Sequence, residues 1–168
     1  GSLLKENCNV VVRPHPRTLF LNPDLQFHLL DTFGNNKNFQ LDLESNSIDS
    51  FFNSDIMISD WSGAALEFAF GLEKPVIFVD VPKKILNSKY QELDLEPLEV
   101  KIRDQIGIVL STEEISEIGR YVKKIDKLKN DWQKNLAEVR NQWVFNIGSS
   151  GLVAANFIMS CIKEKDKI

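Results

Sequence analysis

One stretch, residues 55–67, constrains the fold more than any other part of the sequence. An apolar run over residues 55–58 ends in a small polar turn, residues 59–63, and a helical pattern follows at once. This order predicts a strand that leads directly into a helix. The start of such a helix has backbone N–H groups without intrahelical partners and lies at the positive end of the helix dipole. We therefore expect a site suited to phosphate at this junction.

The same alternation of strand and helix patterns runs through the chain. Four further segments predict strands, namely short apolar runs at residues 9–12, 76–79 and 108–110 and a segment of alternating apolar and polar residues at 39–43. Because segments with helical spacing separate them, we predict an α/β fold, a Rossmann-like open parallel sheet with helices on both faces. A chain of 168 residues is the size of one domain, so we expect residues 1–168 to form a single domain.

Local signals place several helix ends. The Asn-Pro-Asp triplet at residues 22–24 predicts a helix start, and Gly34 predicts the end of that helix. Ser47 is a candidate cap for a short helix, and residues 111–114 form a capping box that opens another. Residues 82–106 show no clear periodicity, and we expect one short helix and an irregular excursion there.

Three of the predicted strands end in segments that the topology places at one edge of the sheet. These segments are residues 13–15, 59–63 and 80–82. The carboxyl ends of parallel strands lie at the same edge, and ligands of open α/β sheets bind beyond that edge. We therefore expect the three segments to converge on one ligand.

Three residues of the central stretch are candidates for donor binding. Ser62 offers a hydroxyl, and Gly63 lets a ligand approach the backbone closely. The alternative for Ser62 is ordinary capping of the helix. Glu67, in the first turns of the helix, is placed to accept hydrogen bonds from ribose hydroxyls. The alternative for Glu67 is a glutamate that faces solvent.

His15 stands between Pro14 and Pro16, directly after the first strand. The two prolines are expected to prevent strand and helix alike and to hold the histidine on a stiff, extended turn. At the ligand edge, an imidazolium can donate to a diphosphate, and the imidazole can act as an acid or base near neutral pH. The alternative is a loop histidine that only hydrogen-bonds the backbone. Arg13 is expected to share the phosphate charge.

The sequence does not support other common nucleotide or metal sites. It contains no G-x-G-x-x-G and no P-loop. Asp60 ends the third strand, as an aspartate does in receiver domains, but such a domain needs an acidic pair where this chain has Arg13 and His15. Since the chain has two histidines and no Cys/His cluster, no zinc site is expected. We expect neither a metal nor a cofactor.

Charge and hydropathy narrow the range of partners and locations. The net charge is −4 and the pI about 5.3, so we expect no nucleic-acid partner. No apolar run approaches the roughly 20 residues that span a bilayer, and no signal-peptide pattern opens the chain. We expect a cytoplasmic protein, with peripheral attachment to the inner membrane face as an alternative for a longer protein. Gly1-Ser2 suggests a vector-derived start and hence a piece of such a longer protein.

Three segments carry a family resemblance. They are the Arg-Pro-His-Pro turn at residues 13–16, the block at residues 54–69 that contains Ser-Asp-Trp-Ser-Gly, and the Lys-Pro-Val-Ile-Phe run at residues 74–78. Together with the Gly-Ser-Ser-Gly turn at residues 148–151, they resemble the CDP-glycerol glycerophosphotransferase family. Members of this family prime or polymerise teichoic-acid-like chains. The resemblance covers about residues 9–160.

The resemblance implies the C-terminal half of a GT-B fold. It implies a transferase that moves glycerol phosphate from CDP-glycerol to a polymeric or lipid-linked surface acceptor. His15 would be the catalytic residue that stabilises the departing phosphate. The predicted donor-binding residues are Arg13, Ser59, Asp60, Ser62, Gly63 and Glu67. A second functional histidine would belong to an N-terminal domain that this chain lacks, so we expect the chain alone to bind nucleotide weakly and to turn nothing over.

One block departs from the family pattern. The family usually has Tyr-Ser-Ser where this chain has Trp61-Ser62-Gly63, which leaves fewer hydroxyls for the phosphates. A glycosyltransferase or 2-epimerase-like enzyme that uses a nucleotide sugar, such as a UDP-sugar, shares the architecture and is the alternative function. A third hypothesis is a non-catalytic scaffold or interaction domain of the same fold.

Overall fold

The computed structural model describes residues 1–44, 48–82, 92 and 96–165. Within these residues the chain is a mixed α/β protein whose strands pair in parallel. Each strand overlaps a segment that was predicted as a strand, although the third strand begins later than expected and includes Ser59. The strands are β1 (Val10–Val12), β2 (Phe39–Leu41), β3 (Met57–Ser59), β4 (Val76–Val79) and β5 (Gly107–Leu110).

The described residues also form ten α-helices. They are α1 (Ser2–Lys5), α2 (Pro16–Leu21), α3 (Leu25–Phe33), α4 (Asp49–Asn53), α5 (Ala64–Leu72), α6 (Leu98–Lys101), α7 (Arg103–Ile106), α8 (Ile118–Lys127), α9 (Lys129–Trp143) and α10 (Ser150–Lys165). The bounds of α3 confirm the helix predicted between the Asn-Pro-Asp triplet and Gly34. The three residues of the triplet lie directly before α3 and Gly34 lies directly after it, although the N-cap, Asp24, makes no side-chain capping hydrogen bond.

The strands form two hydrogen-bonded parallel sheets. One sheet pairs β1 with β2, in a register that places Val11 opposite Gln40. The other has the order β3-β4-β5, and its register aligns Ile58, Ile77 and Ile108. Among the described residues no backbone pairing joins β1 to β3. The predicted α/β class with parallel strands is therefore confirmed, whereas the single open Rossmann-like sheet is not.

Helices cover both faces of the three-stranded sheet, as the sequence predicts. On one face, Val76 and Phe78 of β4 are buried in a cluster with side chains of α5, α7 and α9. On the other face, Ile77 is buried in a second cluster with Leu110 and residues of α8. A central parallel strand is covered on both sides, which explains why β4 has a continuous apolar sequence.

Gly107 allows the close approach of β5 to β4. A Cβ atom at this position would lie 1.9 Å from the carbonyl oxygen of Val76. No side chain fits at that distance, so a residue without a Cβ is required for the pairing that places the ends of both strands at one edge.

The turn after β1 differs from the sequence prediction. Pro16 does not prevent a helix but begins α2, with His15 as its N-cap. Proline is tolerated at the first helical position because its missing N–H would have no intrahelical partner there and its φ already suits a helix. The expectation of an extended turn after His15 is therefore wrong, although His15 itself is extended (φ −61°, ψ 138°).

The segment between β4 and β5 is only partly described. Residues 83–91 and 93–95 lie outside the described residues, and so does Ser47, the predicted cap of α4. The described remainder contains two short helices, α6 and α7, where one was predicted. The capping box at residues 111–114 is present, with the Ser111 amide donating to Glu114 Oε2 at 2.9 Å. It opens a 3₁₀ helix, Thr112–Glu117, that leads into α8.

The last helix, α10, is exposed along residues 150–163. Its apolar side chains include Leu152, which is 66% exposed, and Phe157, which is 69% exposed. These side chains add nothing to the two core clusters. Over the part of the chain that the structure describes, neither α10 nor any other helix has the length and apolarity required to cross a membrane.

Candidate functional site

The junction of β3 and α5 has the strand–loop–helix form that the sequence predicts. Ser59 ends β3, and α5 begins at Ala64 with Gly63 as its N-cap. The Ser62 hydroxyl oxygen accepts a hydrogen bond from the amide of Ala64 at 3.3 Å. Ser62 therefore has the capping role that was the alternative to donor binding, although its hydroxyl hydrogen can still be donated.

The start of α5 offers backbone donors to a ligand. The amides of Ala65 and Leu66 donate to the carbonyls of Ser62 and Gly63, at 3.1 and 3.0 Å. Within the described ranges, the amides of Ser62 and Gly63 themselves have no recorded partner. A Cβ atom at Gly63 would meet nothing within 4 Å. Two amides without a recorded partner therefore lie at the positive end of the α5 dipole, beside an open position at Gly63, and this arrangement suits an anion.

Glu67 lies one helical turn after Gly63. Both residues are exposed, and the buried residues of α5, which include Ala65 and Phe68, lie on the other side of the helix. Since residues four apart share a helix face, Glu67 and Gly63 are neighbours on the surface of α5. A ligand that binds at Gly63 can therefore reach the Glu67 carboxylate. Asp60, in the loop before α5, is also exposed.

Trp61 anchors the loop between β3 and α5. Its indole Nε1 donates to the Val81 carbonyl at 2.7 Å, which ties the loop to the segment after β4. The guanidinium of Arg103 lies over the indole ring, with Cζ 3.8 Å from the ring centroid. Neither Trp61 nor Arg103 was predicted as a site residue. Arg103 stands in residues 82–106, which have no periodic pattern, so no signal in the sequence identifies it.

A cavity of about 390 Å³ opens beside this loop. Its volume is within the range of roughly 300–1,000 Å³ that is usual for small-molecule sites, but the cavity is shallow and open to solvent. Its lining mixes apolar and charged side chains, namely those of Trp61, Asp80, Glu96, Val100, Lys101, Arg103, Asp104 and Val109. The presence of Asp80 in this lining places one of the three predicted ligand-edge segments next to the β3–α5 loop.

His15 caps α2 through its side chain. Its Nδ1 accepts a hydrogen bond from the amide of Arg17 at 3.1 Å, and the residue is exposed. Because Nδ1 acts as an acceptor, the proton of the neutral imidazole lies on Nε2. Nε2–H is therefore available as a donor to a ligand, while the backbone contact matches the alternative interpretation of His15.

Arg13 is held by neighbouring residues. Its Nη1 donates to Ser50 Oγ at 3.2 Å and lies 3.8 Å from Asp42 Oδ2, while its Nη2 donates to the Glu44 carbonyl at 2.9 Å. These contacts give the guanidinium a structural role at the end of β1. A role in sharing phosphate charge stays a prediction.

A chain of contacts connects the end of β1 to α5. The Arg13 guanidinium lies 5.5 Å from the ring centroid of Phe51 on α4, and that ring packs edge-on against Phe68 of α5 at 5.9 Å. Lys74 fixes α4 in this position, because its amine donates to the carbonyls of Phe52 and Ser54 at 2.6 and 2.7 Å. The two sheets are therefore linked through α4.

The structure thus unites only part of the predicted site. Ser59, Asp60, Ser62, Gly63 and Glu67 belong to one strand–loop–helix unit. Arg13 and His15 follow β1, which belongs to the other sheet. No recorded contact among the described residues brings His15 to the loop, so their convergence on one ligand stays a prediction.

The structure offers no donor set for a metal within the described residues, where no group of three or more His, Cys, Asp or Glu side chains could hold one.

In comparisons with known proteins, no family model, curated protein or solved structure matches this chain. The likeness to CDP-glycerol glycerophosphotransferases is therefore carried by the sequence motifs alone.

Proposed function

We propose that this chain is the donor-nucleotide-binding domain of a transferase that moves glycerol phosphate from CDP-glycerol to a surface-polymer acceptor. The observation that supports this proposal is the start of α5. There the amides of Ser62 and Gly63 are without recorded partners among the described residues, at the carboxyl end of a strand in a parallel sheet. A diphosphate is one of the anions that such an arrangement can bind.

Four of the predicted site residues have a physical role in this proposal. The amides of Ser62 and Gly63 and the α5 dipole bind the diphosphate, and Glu67, one turn further along, accepts hydrogen bonds from the ribose. The His15 imidazole donates from Nε2 to the phosphate that departs with the nucleotide. In such a reaction the protein contributes positioning and charge stabilisation. The acceptor and the rest of the cleft would belong to a preceding domain.

A nucleotide sugar is the second candidate donor. Trp61-Ser62-Gly63 contains one hydroxyl side chain. It therefore offers fewer donors to a diphosphate than the Tyr-Ser-Ser that is usual in the CDP-glycerol glycerophosphotransferase family. The cavity beside Trp61 adds room for a group larger than glycerol. A UDP-sugar would use the same backbone amides, so the two candidates differ in the nucleoside and the transferred group.

Isothermal titration calorimetry separates these candidates. The chain is titrated with CDP-glycerol, CDP, UDP, a UDP-sugar and inorganic pyrophosphate. We expect CDP-glycerol and CDP to bind more tightly than UDP and its sugar, and pyrophosphate to bind weakly. Tighter binding of UDP and the UDP-sugar than of CDP and CDP-glycerol would contradict CDP-glycerol as the donor and would favour a nucleotide sugar. Absence of heat with all five ligands, in a chain shown to be folded, would contradict nucleotide binding and favour the scaffold hypothesis.

A further inference from the structure

Arg103, on α7, is buried although it carries a full charge. Only 5% of the residue is exposed. Its guanidinium lies close to two rings, with Cζ 3.8 Å from the ring centroid of Trp61 and 5.0 Å from that of Phe78. Its Nη1 donates to Asp80 Oδ1 at 2.8 Å. Arg103 therefore contacts both the loop that follows β3 and the residue that follows β4.

A buried arginine is a costly way to fill this space. Its Nε has no hydrogen-bond partner among the described residues, and an unpaired buried donor costs about 1–3 kcal/mol. Apolar side chains in place of buried ion pairs are often neutral or stabilising. An apolar side chain cannot supply a flat cation that stacks on an indole while its edge donates to a carboxylate. The geometry of Arg103 thus suits a residue that fixes the position of a neighbour.

Trp61 is that neighbour. Its indole edge is held by the hydrogen bond to the Val81 carbonyl, and one face of the ring is covered by Arg103. Ser62 and Gly63 follow Trp61 directly in the chain. We propose that Arg103 is a positioning residue, which stacks on Trp61 and thereby holds residues 59–63 in the conformation that presents the amides of Ser62 and Gly63 to a diphosphate. The positioning role stands on the contacts alone, and its effect on ligand binding rests on the proposed function.

The test uses two substitutions of Arg103 and one matched control. Arg103→Lys keeps the charge near Asp80 but loses the planar stack, and Arg103→Met removes the charge but keeps an apolar filling. Asp80 is half-exposed, with 52% of its side chain accessible, so Arg103→Met leaves no buried charge unpaired. The control is Arg140→Lys. Arg140 also has an unpartnered Nε within the described ranges and an ion pair, to Glu73 at 2.8 Å, but it lies on α9.

The primary measurement is hydrogen exchange of the three tryptophan indole N–H groups by NMR, with Trp61 assigned through Trp61→Phe. We expect both Arg103 variants to exchange the Trp61 indole at least tenfold faster, with Trp132 unchanged and with urea unfolding close to wild type. Arg140→Lys should leave Trp61 at the wild-type rate. An unchanged Trp61 rate in both Arg103 variants, or equal acceleration of all three indoles, would overturn the positioning role. If Arg103→Met fails to fold, Arg103→Lys decides.

A second measurement connects the loop to ligand binding. CDP affinity should fall at least fivefold in Arg103→Lys and stay within twofold of wild type in Arg140→Lys. If wild type binds no CDP, the proposed function fails, while indole exchange still decides the role of Arg103. If wild type binds CDP and Arg103→Lys binds it equally well with a faster-exchanging Trp61, the loop is positioned by Arg103 but does not hold the ligand, and the second half of the proposal is wrong.

Discussion

Gly63→Asp separates ligand binding from protein stability. Gly63 is the N-cap of α5 and has helical dihedral angles (φ −59°, ψ −28°), and an added Cβ meets no atom within 4 Å. The Ser62 hydroxyl already accepts from the Ala64 amide, so the substitution acts through its charge, and a negative charge at a helix N-terminus adds about 0.3–1 kcal/mol of stability. We therefore expect the free energy of unfolding to stay equal or rise. The added carboxylate also lies where the diphosphate is proposed to bind.

The loss of affinity follows from the repulsion between the two charges. At roughly 6 Å and an effective dielectric constant of about 40, two unit charges repel by ~1.4 kcal/mol. This corresponds to about tenfold in affinity for each phosphate charge at that distance. Salt screens exposed charges, so the loss should be larger at about 0.01 M than at 0.15 M ionic strength.

Calorimetry with CDP and urea unfolding measure both effects. The matched control is Gly151→Asp, which adds the same charge to the first turn of α10 at an exposed glycine with open space around it. We expect Gly151→Asp to bind CDP as wild type does. Equal CDP affinity in Gly63→Asp and wild type would refute the placement of the diphosphate at α5. Equal weakening of CDP binding by both substitutions would show that the effect comes from the net charge of the protein and not from a charge at residue 63.

Three further predictions concern His15, Gly107 and Glu114. His15→Ala should lose about 1 kcal/mol of stability because α2 loses its cap, whereas His15→Asn should keep that stability because it retains an acceptor for the Arg17 amide. Both substitutions should weaken CDP binding equally in calorimetry. Normal CDP binding by His15→Asn would show that His15 only caps α2. Gly107→Ala should lower the free energy of unfolding in urea by at least about 1–3 kcal/mol, because its Cβ would lie 1.9 Å from the Val76 carbonyl oxygen. The control, Gly71→Ala, lies at an exposed position in α5 and should not lower it. A wild-type unfolding midpoint for Gly107→Ala would contradict the close contact between the strands. The pKa of Glu114 is lowered from its ordinary 4.5, chiefly by the hydrogen bond from the Tyr121 hydroxyl and then by that from the Ser111 amide. The stability that Glu114 contributes is therefore present above pH 4.5 and is lost as pH falls through the lowered pKa. Glu114→Gln should flatten that part of the profile of unfolding free energy against pH, and an unchanged profile would exclude the contribution.

Local chemistry made several elements predictable. The continuous apolar run at residues 76–79 gives β4 with the predicted bounds, because a strand buried on both faces needs no polar residue. The Asn-Pro-Asp start and the Gly34 stop enclose α3. Signals of this kind act within one or two turns of the chain, so the residues that carry them are neighbours in the sequence.

Features that depend on distant residues were not predictable in the same way. Pairing between β1 and β3 is a property of two separate segments, and periodicity says nothing about whether it forms. The stack of Arg103 on Trp61 joins a loop to a helix far along the chain, and neither residue stands in a pattern that signals the contact. Pro16 shows a different limit. A proline is compatible with the end of one element and the start of the next, and the sequence did not distinguish the two.

The most direct test of the diphosphate site is an NMR titration of the isotope-labelled chain with CDP. The backbone amides of Ser62 and Gly63 are the predicted donors, so their resonances should shift most and saturate together with the calorimetric isotherm. The amide of Gly151, at the start of α10, should remain in place and serves as the internal reference. Largest shifts at another part of the chain, with Ser62 and Gly63 unmoved at saturating CDP, would contradict the central claim.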